Sequence, residues 1–286
     1  MNFDGLAPEA VKDLYEPIRG RFEAELEAVA SLPETQVLAG LVLRLYRLFL
    51  AVEALTQVGL FEESNATMRS AAEAIVNLMY VMDAGEARPK ETRTSRQLAE
   101  MFVAYGDVAY YKLIGGRGEH ARGAFRRRLG WSEAQIDAHR DECRRKRDAA
   151  LALGCGEKSW HPLGLTDMAK HVLLHLPDYA EPRFADLLLS CFASGNSAVH
   201  GDALSLRTQY NDLGAHALQF IPKGENSNLN AASALVTWAW RRLARYLGDE
   251  EWLRKSLDGK LREIALRRWD SSPPADVPRI LLPGDQ

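Results

Sequence analysis

The sequence predicts an all-α protein. Three observations carry that prediction. Apolar residues recur at helical spacing along most of the chain, glycine and proline fall mainly between the periodic stretches, and cap signals mark helix starts.

The elements follow in order. Pro8 suits a first helical turn, and residues from Glu9 to about Ser31 alternate apolar with charged positions at helix spacing. Pro33 restarts the chain. From Thr35 to Gly59 the apolar residues are dense enough for a central helix, with Leu41, Leu43, Leu45, Phe49 and Leu50 among them. Ser64 or Asn65 can cap a third helix that runs to about Asp83, and Gly85 ends it. After a polar break at Pro89, a fourth helix spans about Ser95 to Ile114 and closes at Gly115 and Gly116. Ser132 and Gln135 form a capping-box pattern at the head of a helix reaching Leu153.

Beyond Gly154 and Gly156 comes a loop with Trp160, His161 and Pro162, then a short helix from Thr166 to Leu176. Pro177 and Pro182 precede a helix from about Arg183 to Val199. Residues 201–228 are rich in Gly, Asn and Ser, which reads as a long loop with room for a short strand pair. Helices over about Asn230 to Leu247 and Glu250 to Arg268 follow. The expected organisation is one helical domain over 1–270, with a core of about 35–245 and a peripheral basic helical insertion over about 116–153. Residues 271–286, with Pro273, Pro274, Pro278 and Pro283, form an extended tail.

With 47% hydrophobic and 26% charged residues, the chain has the balance of a folded globular protein. A net charge of −3 gives no global attraction to nucleic acid or anionic membrane, so such a partner would have to meet a local patch. Cys143, Cys155 and Cys191 are too few and too scattered for a disulfide framework. The N-terminus has neither the basic nor the apolar segment of a secretory signal, and the run Val37–Leu50 is interrupted by Arg44 and Arg47. A cytoplasmic protein without a membrane span is expected.

The common phosphate-loop, dinucleotide, zinc-protease and nucleophile-elbow motifs are absent, and no cofactor is expected. His171 and His175 have metal-ligand spacing, with Asp167 a turn earlier, but no third ligand announces itself. A polar helix face is the plainer reading, and no metal site is assigned.

Three constellations stand out. The first is Ser194-Gly-Asn-Ser-Ala-Val-His200-Gly. Asn196 and His200 share a helix face, and Gly201 places His200 in the last turn, where the helix dipole favours its protonated form. Such an imidazole suits general acid–base chemistry, although a histidine capping exposed carbonyls would look the same. The second is Arg69, Glu73 and Asn77 at i, i+4 and i+8, with Tyr80 a turn further, forming a polar stripe down an apolar helix. It reads either as a surface Arg69–Glu73 pair or as a face turned towards His200. The third is basic: Arg126, Arg127 and Arg128, then Arg144, Arg145 and Arg147, with Asp137, Asp141, Glu142 and Asp148 interleaved. A solvated helix face is one reading, and contact with RNA or a partner protein is the other.

The pattern Arg69-x3-Glu73-x3-Asn77-x2-Tyr80, then Trp160-His161, then Ser197-x-x-His200-Gly, resembles a bacterial helical family of unknown function grouped near the HEPN-like proteins. The resemblance covers about residues 40–245. It implies a HEPN-like helical bundle with additional peripheral helices, generally a homodimer. Many HEPN-like proteins are metal-independent ribonucleases of toxin–antitoxin or anti-phage defence systems. It implies His200 as general acid/base, Asn196 as the motif's polar residue and an arginine at the phosphate. Ser197, Glu73, Asn77, Tyr80, Trp160 and His161 would stand in support. No arginine occurs between Arg183 and Arg207, so Arg69 would have to supply that charge from another helix. A bundle lacking the arginine on its histidine helix also fits a non-catalytic interaction or sensing module, with the same residues as a structural network.

Overall fold

The computed structural model describes residues 8–28, 33–87, 91–115, 118–175, 184–192 and 227–271. Its helices are α1 (Pro8–Ala28), α2 (Pro33–Gln57), α3 (Phe61–Ala87), α4 (Ser95–Gly115), α5 (Gly118–Leu129), α6 (Glu133–Ala152) and α7 (Leu165–His175). They continue as α8 (184–192), α9 (Ser227–Leu247) and α10 (Glu250–Ser271). Among the described residues there is no strand. No helix among them is long and apolar enough to cross a membrane.

The core lies where α2, α3 and α9 meet. Leu38, Leu45 and Phe49 of α2, Ile75, Leu78 and Met79 of α3, and Leu235 and Trp240 of α9 are all buried there. Removing such side chains from water is the main favourable term in folding, and it selects the apolar face each helix turns inward. α2 and α3 join through a tight turn at Gly59, whose φ of 78° only glycine adopts cheaply. α9 runs parallel to α3 and is pinned at both ends. Asn228 Nδ2 donates to Ser64 Oγ at 2.6 Å and Asn65 Oδ1 at 2.9 Å, and Arg242 meets Asp83 at 2.7 Å.

α1 and α10 cover one flank. Lys12 bridges to Glu53 of α2, Arg21 to Asp249, and Lys260 to Asp13. On the other flank α4 returns antiparallel to α3, with Ser95 Oγ donating to the Met82 carbonyl. α5 and α6 pack on the far side of α4, so the basic segment stands one layer away from the core. The capping box at α6 forms as its sequence indicates, with Ser132 and Gln135 satisfying each other's backbone N–H. A second one, missed in the sequence, heads α4: Thr94 N donates to Gln97 Oε1, and Gln97 N to Thr94 Oγ1.

Several expected boundaries move. Ser64 and Asn65 do not cap α3. The helix already begins at Phe61, and both side chains are turned to Asn228 instead. α3 continues past Asp83, whose φ of −120° and ψ of 22° mark a kink, to Ala87. Within the basic insertion expected over about 116–153, α5 is a helix separate from α6. α9 starts at Ser227, inside the expected loop, and α10 extends to Ser271. The expected strand pair and the tail beyond Ser271 lie outside the described residues.

Candidate functional site

The polar stripe of α3 divides into two parts of different character. At its N-terminal end Arg69 Nε donates to Glu73 Oε1 at 3.1 Å, and the two side chains keep 26% and 33% of their exposure. Among the described residues no acceptor meets the two terminal guanidinium nitrogens of Arg69. This is the accessible part, and the i, i+4 spacing puts both charges on one face.

One turn on, the stripe goes under cover. Asn77 accepts at Oδ1 from the Trp160 indole N–H at 2.8 Å. Tyr80 is fully buried, its ring edge-on to Trp160 at 6.1 Å and to His161 at 4.9 Å. Phe102 of α4 closes the group 5.5 Å from Trp160. The loop between α6 and α7 delivers Trp160 and His161 to this place, and its shape depends on glycine. Gly154 has φ of 101° and backs onto Arg93 and Met101, and a Cβ on Gly156 would stand 3.0 Å from the Ser159 carbonyl oxygen. Ser159 Oγ donates to the carbonyls of His161 and Leu163 and holds the turn shut.

His161 is wholly buried, and both ring nitrogens are engaged. Nδ1 accepts from the Leu163 backbone N–H at 3.1 Å, and Nε2 lies between Arg93 Nη2 at 2.9 Å and Glu91 Oε2 at 3.2 Å. Glu91 is in turn clamped by Arg93: Nε to Oε1 at 2.7 Å, Nη2 to Oε2 at 2.8 Å, and the Arg93 backbone N–H to Oε1 at 3.1 Å. Burial pushes the Glu91 carboxyl up, but the Arg93 and His161 hydrogen bonds outweigh it and hold the group at about 2. Arg93 also reaches the Met101 sulfur at 3.2 Å. Glu91 and Arg93 sit in the stretch the sequence presents only as a polar break, and no periodicity marks them as partners of a histidine 70 positions away.

The candidates thus separate. Asn77, Tyr80, Trp160 and His161 are brought together as one buried network, extended by Glu91 and Arg93. Arg69 and Glu73 stand outside it on the open end of the stripe. His200, Asn196 and Ser197 lie outside the described residues. Among the described residues, no three His, Cys, Asp or Glu side chains gather as a metal site.

The basic arm divides in a similar way. Arg126 is paired with Glu133, which Arg122 also reaches at 3.0 Å while holding Asp137 at 2.6 Å. Arg144 faces Asp141 at 3.7 Å, and Arg147 faces Asp148 at 3.3 Å and Glu157 at 3.4 Å. Arg127 and Arg128 are exposed at the end of α5, and Arg145 is exposed on α6. His139, which the sequence did not single out, sits among Phe125, Trp131 and Tyr110 and ties α5 and α6 to α4.

The model of a protein family described as a family of unknown function (DUF5677) matches residues 35–216. No curated protein and no solved structure matches the chain. The family match takes in α2 to α8 and every candidate residue from Arg69 to His200, and leaves out α1, α9 and α10.

Proposed function

The chain belongs to this family of unknown function, and from the arrangement of its own residues we propose that it is a HEPN-like, metal-independent ribonuclease. The observation that carries the proposal is the state of Arg69. Among the described residues it is held through Nε by Glu73, is partly exposed, and has no acceptor at its two terminal nitrogens, which leaves them for an anion. A guanidinium presented in this way matches two phosphate oxygens. Glu73 fixes the plane of the fork without filling it. The family match spans both α3 and the Asn196–His200 segment, which supports treating the two halves as one unit.

In the reaction proposed, the RNA 2′-hydroxyl attacks the adjacent phosphorus, the bond to the 5′-oxygen breaks, and a 2′,3′-cyclic phosphate and a 5′-hydroxyl result. His200 takes the 2′-hydroxyl proton or protonates the leaving oxygen, and Arg69 steadies the charge that builds on the phosphate. His161 is unsuited to this part, because it is buried and both its nitrogens are occupied. As in the family it resembles, the working assembly is a homodimer, of a kind used in toxin or anti-phage defence systems.

A second reading has its own support. The burial of Tyr80, Trp160 and His161, with half-buried Asn77 bonded to Trp160, favours a scaffold that presents α3 to a partner protein without chemistry.

The test is cleavage of a 5′-labelled single-stranded RNA by purified full-length protein in excess chelator. Wild type is expected to cut, and His200→Ala and Arg69→Ala to lose at least a hundredfold in rate with unchanged circular dichroism. Cleavage that survives His200→Ala overturns the ribonuclease reading. No cleavage by wild type, with His200→Ala lowering only the melting temperature, favours the scaffold.

A further inference from the structure

We propose that Arg140, Arg144 and Arg147 of α6, together with Tyr111 of α4, form a binding site for a phosphate group. The three arginines lie at i, i+4 and i+7, one face of the helix, and that face is turned to Tyr111. The Arg147 guanidinium carbon stands 5.2 Å from the centre of the Tyr111 ring, and Arg144 lies on the same face of α6 one turn earlier. Arg140 completes the group from a half-buried position. Its Nε is buried and makes no hydrogen bond among the described residues.

Charge decides the kind of ligand. Asp141 stands 3.7 Å from Arg144, and Asp148 and Glu157 stand 3.3 and 3.4 Å from Arg147, but no carboxylate among the described residues forms an ion pair with Arg140. Residues 118–152 hold nine Lys and Arg against six Asp and Glu, a surplus of three positive charges in a chain whose net charge is −3. The positive charge of Arg144 above all, with Arg140 and Arg147, pulls the Tyr111 phenol below its ordinary value against the opposing effect of burial. Arg144 and Arg147 are partly met by those carboxylates, and Arg140 is the charge that no carboxylate among the described residues meets. A phosphate's oxygens match arginine forks and can engage Arg140 together with its two neighbours on the same face. The site is on the opposite side of α4 from the core and does not depend on the ribonuclease reading.

The experiment uses the full chain and three probes: inorganic phosphate, adenosine 5′-monophosphate, and a fluorescein-labelled single-stranded RNA 12-mer with or without a 5′-phosphate. Binding is read by calorimetry or anisotropy at matched ionic strength. At least one probe is expected to bind saturably. Arg140→Gln and Arg147→Gln should each weaken it at least tenfold, while Lys255→Gln on α10 changes nothing. Arg140→Lys keeps the charge without the fork and should retain only part of the affinity. Tyr111→Phe should lose the hydroxyl's share. A preference for the 5′-phosphorylated RNA assigns a terminal phosphate, equal binding of both RNAs assigns the backbone, and binding of inorganic phosphate alone assigns the free ion. The proposal is overturned if no probe saturates, or if a well-folded Arg140→Gln protein binds as wild type does.

Discussion

The indole nitrogen of Trp160 donates to the amide oxygen of Asn77 at 2.8 Å, joining positions 83 residues apart in the chain. The bond fastens the loop between α6 and α7 to the middle of α3, and Tyr80, Phe102 and His161 pack around it. Asn77→Ala leaves the buried indole N–H without its acceptor. The expected cost is about 1–3 kcal/mol of unfolding free energy in urea titration. A stability equal to wild type would show that the contact does not hold the loop.

The Glu91 carboxyl makes stability depend on acid. Its folded value, about 2, is below its ordinary 4.5, so its contribution is fully present above pH 4.5. That contribution is lost as pH falls from 4.5 towards 2, because over that window the unfolded state binds a proton that the folded state does not. The loss over that window is on the order of 3 kcal/mol. Glu91→Gln should destabilise the protein at pH 7 and flatten the stability profile between pH 4.5 and 2. An identical profile in wild type and variant would remove Glu91 from the account.

Two glycines should respond in opposite directions. Gly154 has φ of 101° and lies against Arg93 and Met101, so Gly154→Ala is strained and should lower stability by roughly 1–2 kcal/mol. Gly20 lies inside α1 and a Cβ there meets nothing within 4 Å, so Gly20→Ala should raise stability by roughly 0.5–1 kcal/mol. Melting temperatures of the two variants check both signs in one measurement. A stabilising Gly154→Ala would mean that the loop tolerates a different backbone.

Local signals in the sequence were enough for much of the helix plan. The periodic run of α2, the Ser132–Gln135 box and the glycine-marked ends depend on neighbours a few residues apart, and each lies close to where it was expected. α5 was expected only as part of a basic helical insertion over about 116–153 and not as a helix of its own, because its short Ala121, Phe125, Leu129 stripe is set among arginines that find Glu133 and Asp137 after the chain has turned back. The start of α3 was misplaced for a related reason. Ser64 and Asn65 have the chemistry of caps, yet Asn228 engages both.

The sequence by itself determined the helical character of the described residues and a polar stripe of Arg69, Glu73, Asn77 and Tyr80 on one helix. Only the tertiary structure decided which of those residues are used internally. Asn77 and Tyr80 fall beneath Trp160 and His161, while Arg69 and Glu73 stay accessible. Spacing along a helix fixes which side chains share a face, because 3.6 residues make a turn wherever the helix lies. It does not fix what covers that face. That depends on loops and helices arriving from 70 or 80 positions away, and their burial and hydrogen bonds form only when the whole chain packs.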